Sequence, residues 1–196
     1  SWSDSGKIAS YEWRFDDGST VTTPQVQRTY HKPGRYSEVL QVTDESGSKA
    51  YDFAVVIVVD REHPERHIPS IHPNYYPTSG IRPGDAVTFK VRTFNTTSGK
   101  EVWDFGDGSA EVDVQSDGNA VKLAPDGYAV TTHRYDKPGD YVVRVTRSNK
   151  QGVAAVGHLH VHVGTDSESA TTSQPPQAGD YSPAQLEKVT PEQALK

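Results

Sequence analysis

Three histidines, His158, His160 and His162, alternate along one apolar segment. On a β-strand, alternate side chains leave from the same face, so these imidazoles stand roughly 6.5 to 7 Å apart. A His-x-His pair can share zinc, copper or nickel if the strand bends or a neighbouring strand adds a third ligand. The chain has no cysteine, and no carboxylate of suitable spacing accompanies the histidines. The competing reading is a solvent-facing polar stripe beside buried Leu159, Val161 and Val163.

Other residues of types able to carry chemistry fall into less specific patterns. The sequence has no Gly-x-Ser-x-Gly elbow, no phosphate-cradling glycine loop and no His-Glu-x-x-His. Ser19 and Ser109 each close an Asp-Gly-Ser turn, which leaves the chain without a nucleophile in a recognisable setting. The expectation is a non-catalytic chain that requires no cofactor. Aromatic side chains give the best indication of binding. Tyr75 and Tyr76 are adjacent in Asn74-Tyr75-Tyr76-Pro77, so both cannot face one core; Trp2 and Tyr128 are further candidates. Exposed rings stack on sugar faces or on protein, whereas rings at a domain junction only fill space.

The elements that would hold these residues are short strands. Apolar segments alternate with a period of two and are punctuated by Gly, Pro and Asp-Gly, which predicts an all-β sandwich without long helices. Strands are expected over 8–15, 25–30, 34–44 and 49–59, then over 70–76, 85–94, 100–105, 128–135, 139–147 and 152–163. The two sets are copies of one another. Trp13-Arg14-Phe15-Asp16-Asp17-Gly18-Ser19 returns as Trp103-Asp104-Phe105-Gly106-Asp107-Gly108-Ser109, and Tyr30-His31-Lys32-Pro33-Gly34-Arg35-Tyr36 returns as Tyr135-Asp136-Lys137-Pro138-Gly139-Asp140-Tyr141. Each Trp and Phe share a strand face and should bury between two sheets, while each Lys-Pro-Gly corner is braced by its flanking tyrosines.

Residues 1–60 and 70–164 therefore form two small domains joined by a charged linker over 61–69. The shortness of the linker predicts domains set end to end. Trp103 to Tyr135 spans 32 positions against 17 from Trp13 to Tyr30, so the second copy carries 15 extra residues, most simply near 111–126. Its turn sequences suggest an added hairpin. Residues 165–196 begin with a Ser-, Thr-, Gln- and Pro-rich run expected to be flexible. Ser182-Pro183 and Thr190-Pro191 then resemble helix starts that lead into a further domain. The chain contains no methionine, even at position 1, as expected of a piece of a longer polypeptide.

Composition narrows the partners. With 26 acidic and 20 basic residues the net charge is −6, which disfavours nucleic acid. The longest apolar run, 53–59, is far short of the roughly 20 residues of a membrane span, so no membrane insertion is expected.

The repeated phrases resemble the PKD repeat, an immunoglobulin-like β-sandwich first known from polycystin. The second copy matches its signature through Trp103 to Ser109, His133-Arg134-Tyr135 and Pro138-Gly139-Asp140-Tyr141. The first departs at Arg14 and Asp16, and has Arg28 in place of the histidine. The resemblance implies a non-catalytic interaction or spacer module of a larger secreted or cell-surface protein. It would engage neighbouring domains of its own polypeptide and aid binding to a polysaccharide or fibrous protein. An alternative is a structural part of a multidomain hydrolase that packs on its catalytic domain, and a metal-binding module is a more distant one. The resemblance also admits calcium at Asp4 and Asp44, the positions matching the acids of calcium-binding sandwiches, against the simpler reading of turn-stabilising acids. PKD repeats usually open with two strands before a Ser-x-Asp-x-x-Gly-like turn; here Ser3-Asp4-Ser5-Gly6 is already at the start, so the first copy is expected to lack its opening strand or strands. Its last strand is apolar on both faces (Phe53, Val55, Ile57 and Ala54, Val56, Val58), which predicts that upstream chain or a neighbouring domain covers the outer one.

Overall fold

A computed structural model describes residues 7–64, 66–118 and 126–165, and among these all regular structure is strand. The first repeat holds β1 (Ile8–Arg14), β2 (Thr20–Val21), β3 (Gly34–Asp44) and β4 (Lys49–Val58). The second holds β5 (Ser70–Tyr76), β6 (Val87–Phe94), β7 (Glu101–Asp104), β8 (Val112–Val114), β9 (Ala129–His133), β10 (Gly139–Ser148) and β11 (Ala154–Val163). Strands β5, β6 and β9 form one antiparallel sheet in the order β5-β6-β9. The remaining strands run in the order β2-β1-β3-β11-β10-β7-β8, with β4 also paired to β3.

Closure of the second repeat follows from alternation. Phe89 and Val91 of β6 and Ile71 of β5 point at Trp103, Phe105, Val143, Val145 and Val161, and all of these are at most 1% exposed. Two aromatic strand residues on one face thus meet a facing sheet, and their area goes into the core. The side chains between them, Thr88, Lys90, Arg92 and Phe94, are turned outward.

The repeat extends to individual hydrogen bonds. Tyr36 Oη donates to Lys32 O and Tyr141 Oη to Lys137 O, each at 2.8 Å. Asp44 Oδ1 accepts from the amides of Ser46 and Ser48, and Asn149 Oδ1 from those of Gln151 and Val153. Asp107 Oδ2 lies 2.7 Å from His133 Nε2, whose ring stacks on Phe105 at 4.1 Å. In the first repeat Arg28 takes both roles: it donates to Asp17 Oδ2 at 2.6 Å and lies 4.1 Å over the Phe15 ring.

The first repeat has no counterpart of β5 and β6 among the described residues, and two expectations change with it. Residues 25–30 are not a strand, because β9, which they match, is held by pairing to β6. Trp13 is only half-buried, unlike Trp103, since no second sheet lies over it; its Nε1 donates to Thr23 O at 3.2 Å.

The repeats do not sit end to end. They meet side by side where β3 and β11 share one parallel bridge, Arg35 to Ala155. The outer face of β11 crosses the outer face of β4: His158 stacks on Phe53 at 5.8 Å, and His160 lies 4.5 Å from the Tyr51 ring. His158 Nδ1 also shares a 3.1 Å hydrogen bond with Ser37 Oγ, and Arg144 Nε is 3.8 Å from Asp16 Oδ1. The neighbour expected on the doubly apolar strand is therefore the second repeat at Tyr51 and Phe53. Val55, Ile57 and Val59, further along, remain 49%, 56% and 62% exposed.

The described part of the insertion builds core: β8 pairs with β7 as β2 pairs with β1, and the chain then turns inward; the expected added hairpin falls on 119–125, outside the described residues. Ser116 is fully buried and Asp117 is 6% exposed. Arg147 and Glu101 form an ion pair at 2.8 Å with both side chains at 0% exposure. Ser116 Oγ, Ser116 N and Thr93 Oγ1 also donate to the Glu101 carboxylate. Burial raises the Glu101 carboxyl, but these bonds outweigh it and hold it below the usual carboxylate range.

Removing one member of a buried pair strands the other charge. Arg147→Met is expected to cost about 3–5 kcal/mol in urea unfolding, with Glu101→Leu/Arg147→Met regaining part of the loss. A near-neutral single variant would remove this pair from the account of stability. A second prediction concerns acid. Burial, then the nearby Arg144 guanidinium, pushes His158 down to about 4; the Ser37 contact and Asp104 pull weakly the other way. The unfolded imidazole takes a proton near pH 6.5, where the folded one does not, so this residue's penalty grows as pH falls from about 6.5 to about 4 and levels off below. Melting temperature should fall more steeply over that window in the parent than in His158→Gln; parallel pH profiles would contradict it.

Candidate binding surface

The outward side of the β5-β6-β9 sheet has no protein layer over it among the described residues, and its side chains follow from register. His72 opposes Arg92, Asn74 opposes Lys90 and Tyr76 opposes Thr88; across the next ladder Lys90 opposes Val130 and Thr88 opposes Thr132. Tyr76 is 75% and Val130 55% exposed. Tyr128 enters from the segment before β9, level with Arg92. Tyr76 and Tyr128 thus sit four residues apart along the strands, about 13 Å.

Cations hold the Tyr128 end in place. Lys90 Nζ lies 4.4 Å from the centre of the Tyr128 ring and 2.7 Å from Asp126 Oδ2; Arg92 lies 5.6 Å over the same ring and 4.9 Å over Phe94. Both Arg92 Nε and Nη2 donate to Asp117, at 3.2 and 2.9 Å, which fixes the plane of the guanidinium. His72 meets Phe94 edge-on at 5.4 Å. The result is a flat, sheet-borne face with a free tyrosine at one end and a cation-braced aromatic cluster at the other. Such a face suits stacking on planar or extended polymers and offers no enclosed space for a reaction.

The other sequence candidates are placed as follows. Tyr75 is a core residue, not a surface one: its ring stacks on Phe89 at 6.0 Å, its hydroxyl donates to His160 O at 2.7 Å, and burial raises its hydroxyl pKa. Trp2 and Asp4 lie outside the described residues. Asp44 is 5% exposed, and its Oδ1 closes the turn after β3, also accepting from Ser46 Oγ at 2.5 Å.

The histidine strand is divided. His158 turns to Ser37 and Phe53 of the first repeat, so it is not part of a solvent-facing stripe. His160 Nε2 and His162 Nδ1 converge on Asp140 Oδ1 at 2.8 and 2.9 Å. Asp140 is the carboxylate that the sequence reading did not associate with the histidines; it lies directly across from His162 in the β10-β11 ladder. Burial raises its carboxyl, while hydrogen bonds from His162 and His160 outweigh that and lower it. Among the described residues no group of three or more His, Asp or Glu side chains is arranged to hold a metal ion. His72, Lys90, Arg92, Phe94 and Val130 were not singled out from sequence, although the alternation Thr88, Lys90, Arg92, Phe94 marks an outward face.

No helix among the described residues is long and apolar enough to cross a membrane. Residues 1–59 and residues 74–163 each match a family described as PKD domain. Collagenase ColA of Bacillus cereus is 31% identical over 103 residues, covering 51% of this chain and 10% of that protein. Collagenase ColQ1 of Bacillus cereus strain Q1 is 33% identical over 107 residues, covering 50% of this chain and 11% of its own length. The chain thus spans about a tenth of the length of these curated relatives. Among solved structures, the fibronectin(III)-like modules of Clostridium thermocellum CbhA align at 12% identity and a TM-score of 0.34, over 83% of this chain and 82% of that one. With both repeats matched, the chain belongs to the PKD domain family, as a tandem pair of non-catalytic modules.

Proposed function

We propose that the chain is an accessory region of a larger extracellular protein, and that the outer face of β5-β6-β9 binds an extended polymer, a polysaccharide or a fibrous protein. The observation that carries this reading is the exposed Tyr76 on the same flat face as the Tyr128, Lys90 and Arg92 cluster. A ring 75% exposed on a rigid sheet has already lost the water-excluding neighbours that a core ring would have, so a ligand that stacks on it gains contact with little ordering cost. Fixing the second ring by cations preorganises the other end in the same way. Two relatives carry the name collagenase, which makes collagen the first polymer to test.

A second reading, a structural part packed on a neighbouring domain, is favoured by the exposed stripe of Val55 and Ile57 on β4 and Val59 just beyond its end. A strand of this length paired on one side only, with these apolar side chains in water, is the kind of surface that another domain covers.

Retention of the chain on insoluble collagen, chitin and cellulose distinguishes the two. Tyr76→Ala/Tyr128→Ala is expected to lower retention on the bound matrix at least about tenfold, since stacked rings contribute about 0.5–1.5 kcal/mol each beyond their buried area. Val55→Lys/Ile57→Lys should leave retention unchanged. Absence of retention on all three matrices, or retention indifferent to the tyrosines, would count against the recognition face and leave the structural reading.

A further inference from the structure

The end of the second repeat farthest from Tyr76 holds a cavity of about 440 Å³. It opens between the linker residues Arg66 and His67, the turn over 95–98 that leaves β6, and the turn over 149–153 that joins β10 to β11. Its size falls in the range of small-ligand sites, and its lining is polar apart from Val153.

The charge of this cavity runs against that of the chain. Asp and Glu outnumber Lys and Arg by 26 to 20 overall, yet Arg66 and Lys150 line the cavity and no described Asp or Glu does. Among the described residues Arg66 Nη1 has a loose ion pair, 3.6 Å from Asp60 Oδ2, with its side chain 52% exposed. Lys150 has no ion pair among the described residues. Two cations facing a shared space without a carboxylate between them repel each other, and an anion placed there relieves the repulsion.

The walls are fixed by bonds that leave other polar groups turned to the space. Asn95 adopts a left-handed backbone (φ 63°), which its side chain stabilises by donating from Nδ2 to Ile68 O at 3.2 Å, tying the turn to the linker. Ser98 N donates to Thr96 Oγ1, and the buried Arg147 donates from Nε to Ser98 O at 3.0 Å from beneath. Asn149 Oδ1 holds the amides of Gln151 and Val153, which leaves its Nδ2 to a ligand. The side chains of Thr97, Lys150 and Gln151 have no intramolecular hydrogen bond among the described residues. A preformed cavity that offers two cations, amides and a hydroxyl, with no Phe, Tyr or Trp in its lining, matches a small ligand that carries one anionic group and several hydroxyls.

From this geometry we propose that the cavity binds an acidic sugar unit, its carboxylate or sulfate held by Lys150 and Arg66 and its hydroxyls by Asn149, Gln151 and Thr97. A sugar ring presents several hydroxyls, each both donor and acceptor, within one small span, which suits the clustered Asn149, Gln151 and Thr97 side chains; an acidic peptide would meet them only through its backbone amides. This site shares no residue with the Tyr76 and Tyr128 face, and its outcome is independent of that reading.

The test is an NMR titration of the isotope-labelled chain with sodium glucuronate, alongside glucose, sodium sulfate and N-acetylglutamate. Glucuronate should give saturable shifts in the amides of Thr97, Ser98, Lys150 and Gln151, and glucose should give none. Lys150→Ala should weaken glucuronate about tenfold, the loss typical of a hydrogen bond to a charged group, with the rest of the spectrum unchanged. No saturable shift at these amides, or full affinity in Lys150→Ala, overturns the proposal. Sulfate or N-acetylglutamate binding as tightly as glucuronate overturns it too, since that is anion capture without sugar recognition.

Discussion

Burial of Trp103 and Phe105 under the β5-β6-β9 sheet is the constraint from which most of the second repeat follows. A strand has two faces, and once Phe89 and Val91 are committed to the aromatic pair, Lys90, Arg92 and Phe94 have no alternative to the outside. The same choice divides Tyr75 from Tyr76. The candidate recognition face is thus the reverse side of the core, and its rigidity is inherited from residues that never touch a ligand. The first repeat shows what happens without the covering sheet. Its Trp13 is left half-buried, the counterpart of β9 has nothing to pair with, and a glutamate, Glu38, occupies the inward position that Val143 fills in the second copy. Glu38 is 2% exposed and is satisfied by the Tyr30 hydroxyl at 3.0 Å and the Asp16 amide at 2.9 Å.

What the two copies preserve is a set of physical roles more than a set of residue types. Each must keep the Asp-Gly-Ser turn attached to the segment that precedes the Lys-Pro-Gly corner, and each must place a flat polar group against the Phe of the repeated phrase. An imidazole does both at His133 and a guanidinium does both at Arg28, because each is planar and each donates to a carboxylate. The departure from the motif at Arg28 is therefore a substitution within one mechanism. The tyrosine corners and the turns at Asp44 and Asn149 make the same point with nearly identical geometry.

Features set by local pattern were legible in the sequence. The duplicated phrase, the period-two strands and the corner chemistry located β1, β3 to β7 and β9 to β11 within a few residues, and β3 and β5 to the residue. Features decided by distant partners were not. Whether residues 25–30 pair depends on strands elsewhere in the chain, and local alternation carries no information about that. The adjacent tyrosines stated that one would face out but not which one, since register is fixed by β6. Ser116 and Asp117 read as turn formers because their neighbours are Gly118 and Asn119, yet Arg147 and Arg92 draw them into the interior. Asp140 escaped notice because its nearness to His160 and His162 is a cross-strand relation, invisible to spacing along one segment.

The histidine strand finally explains why the two repeats behave as one body among the described residues. One face of β11 belongs to the core of the second repeat through Ala155, Val161 and Val163, while the other lies against Tyr51 and Phe53 of the first. Histidine suits the second face because it is flat enough to stack on an aromatic ring and polar enough to keep its nitrogens bonded, His158 to Ser37 and His160 to Asp140. The stacking pairs His158 with Phe53 and His160 with Tyr51, so the exposed end of β11 at His162 points away from the stripe left open at Val55, Ile57 and Val59. The ring contacts between the strands thus fall at Tyr51 and Phe53. That leaves the remainder of β4 available to another domain and the far side of the second repeat available to a ligand, so the two surfaces are physically separate and can be occupied together.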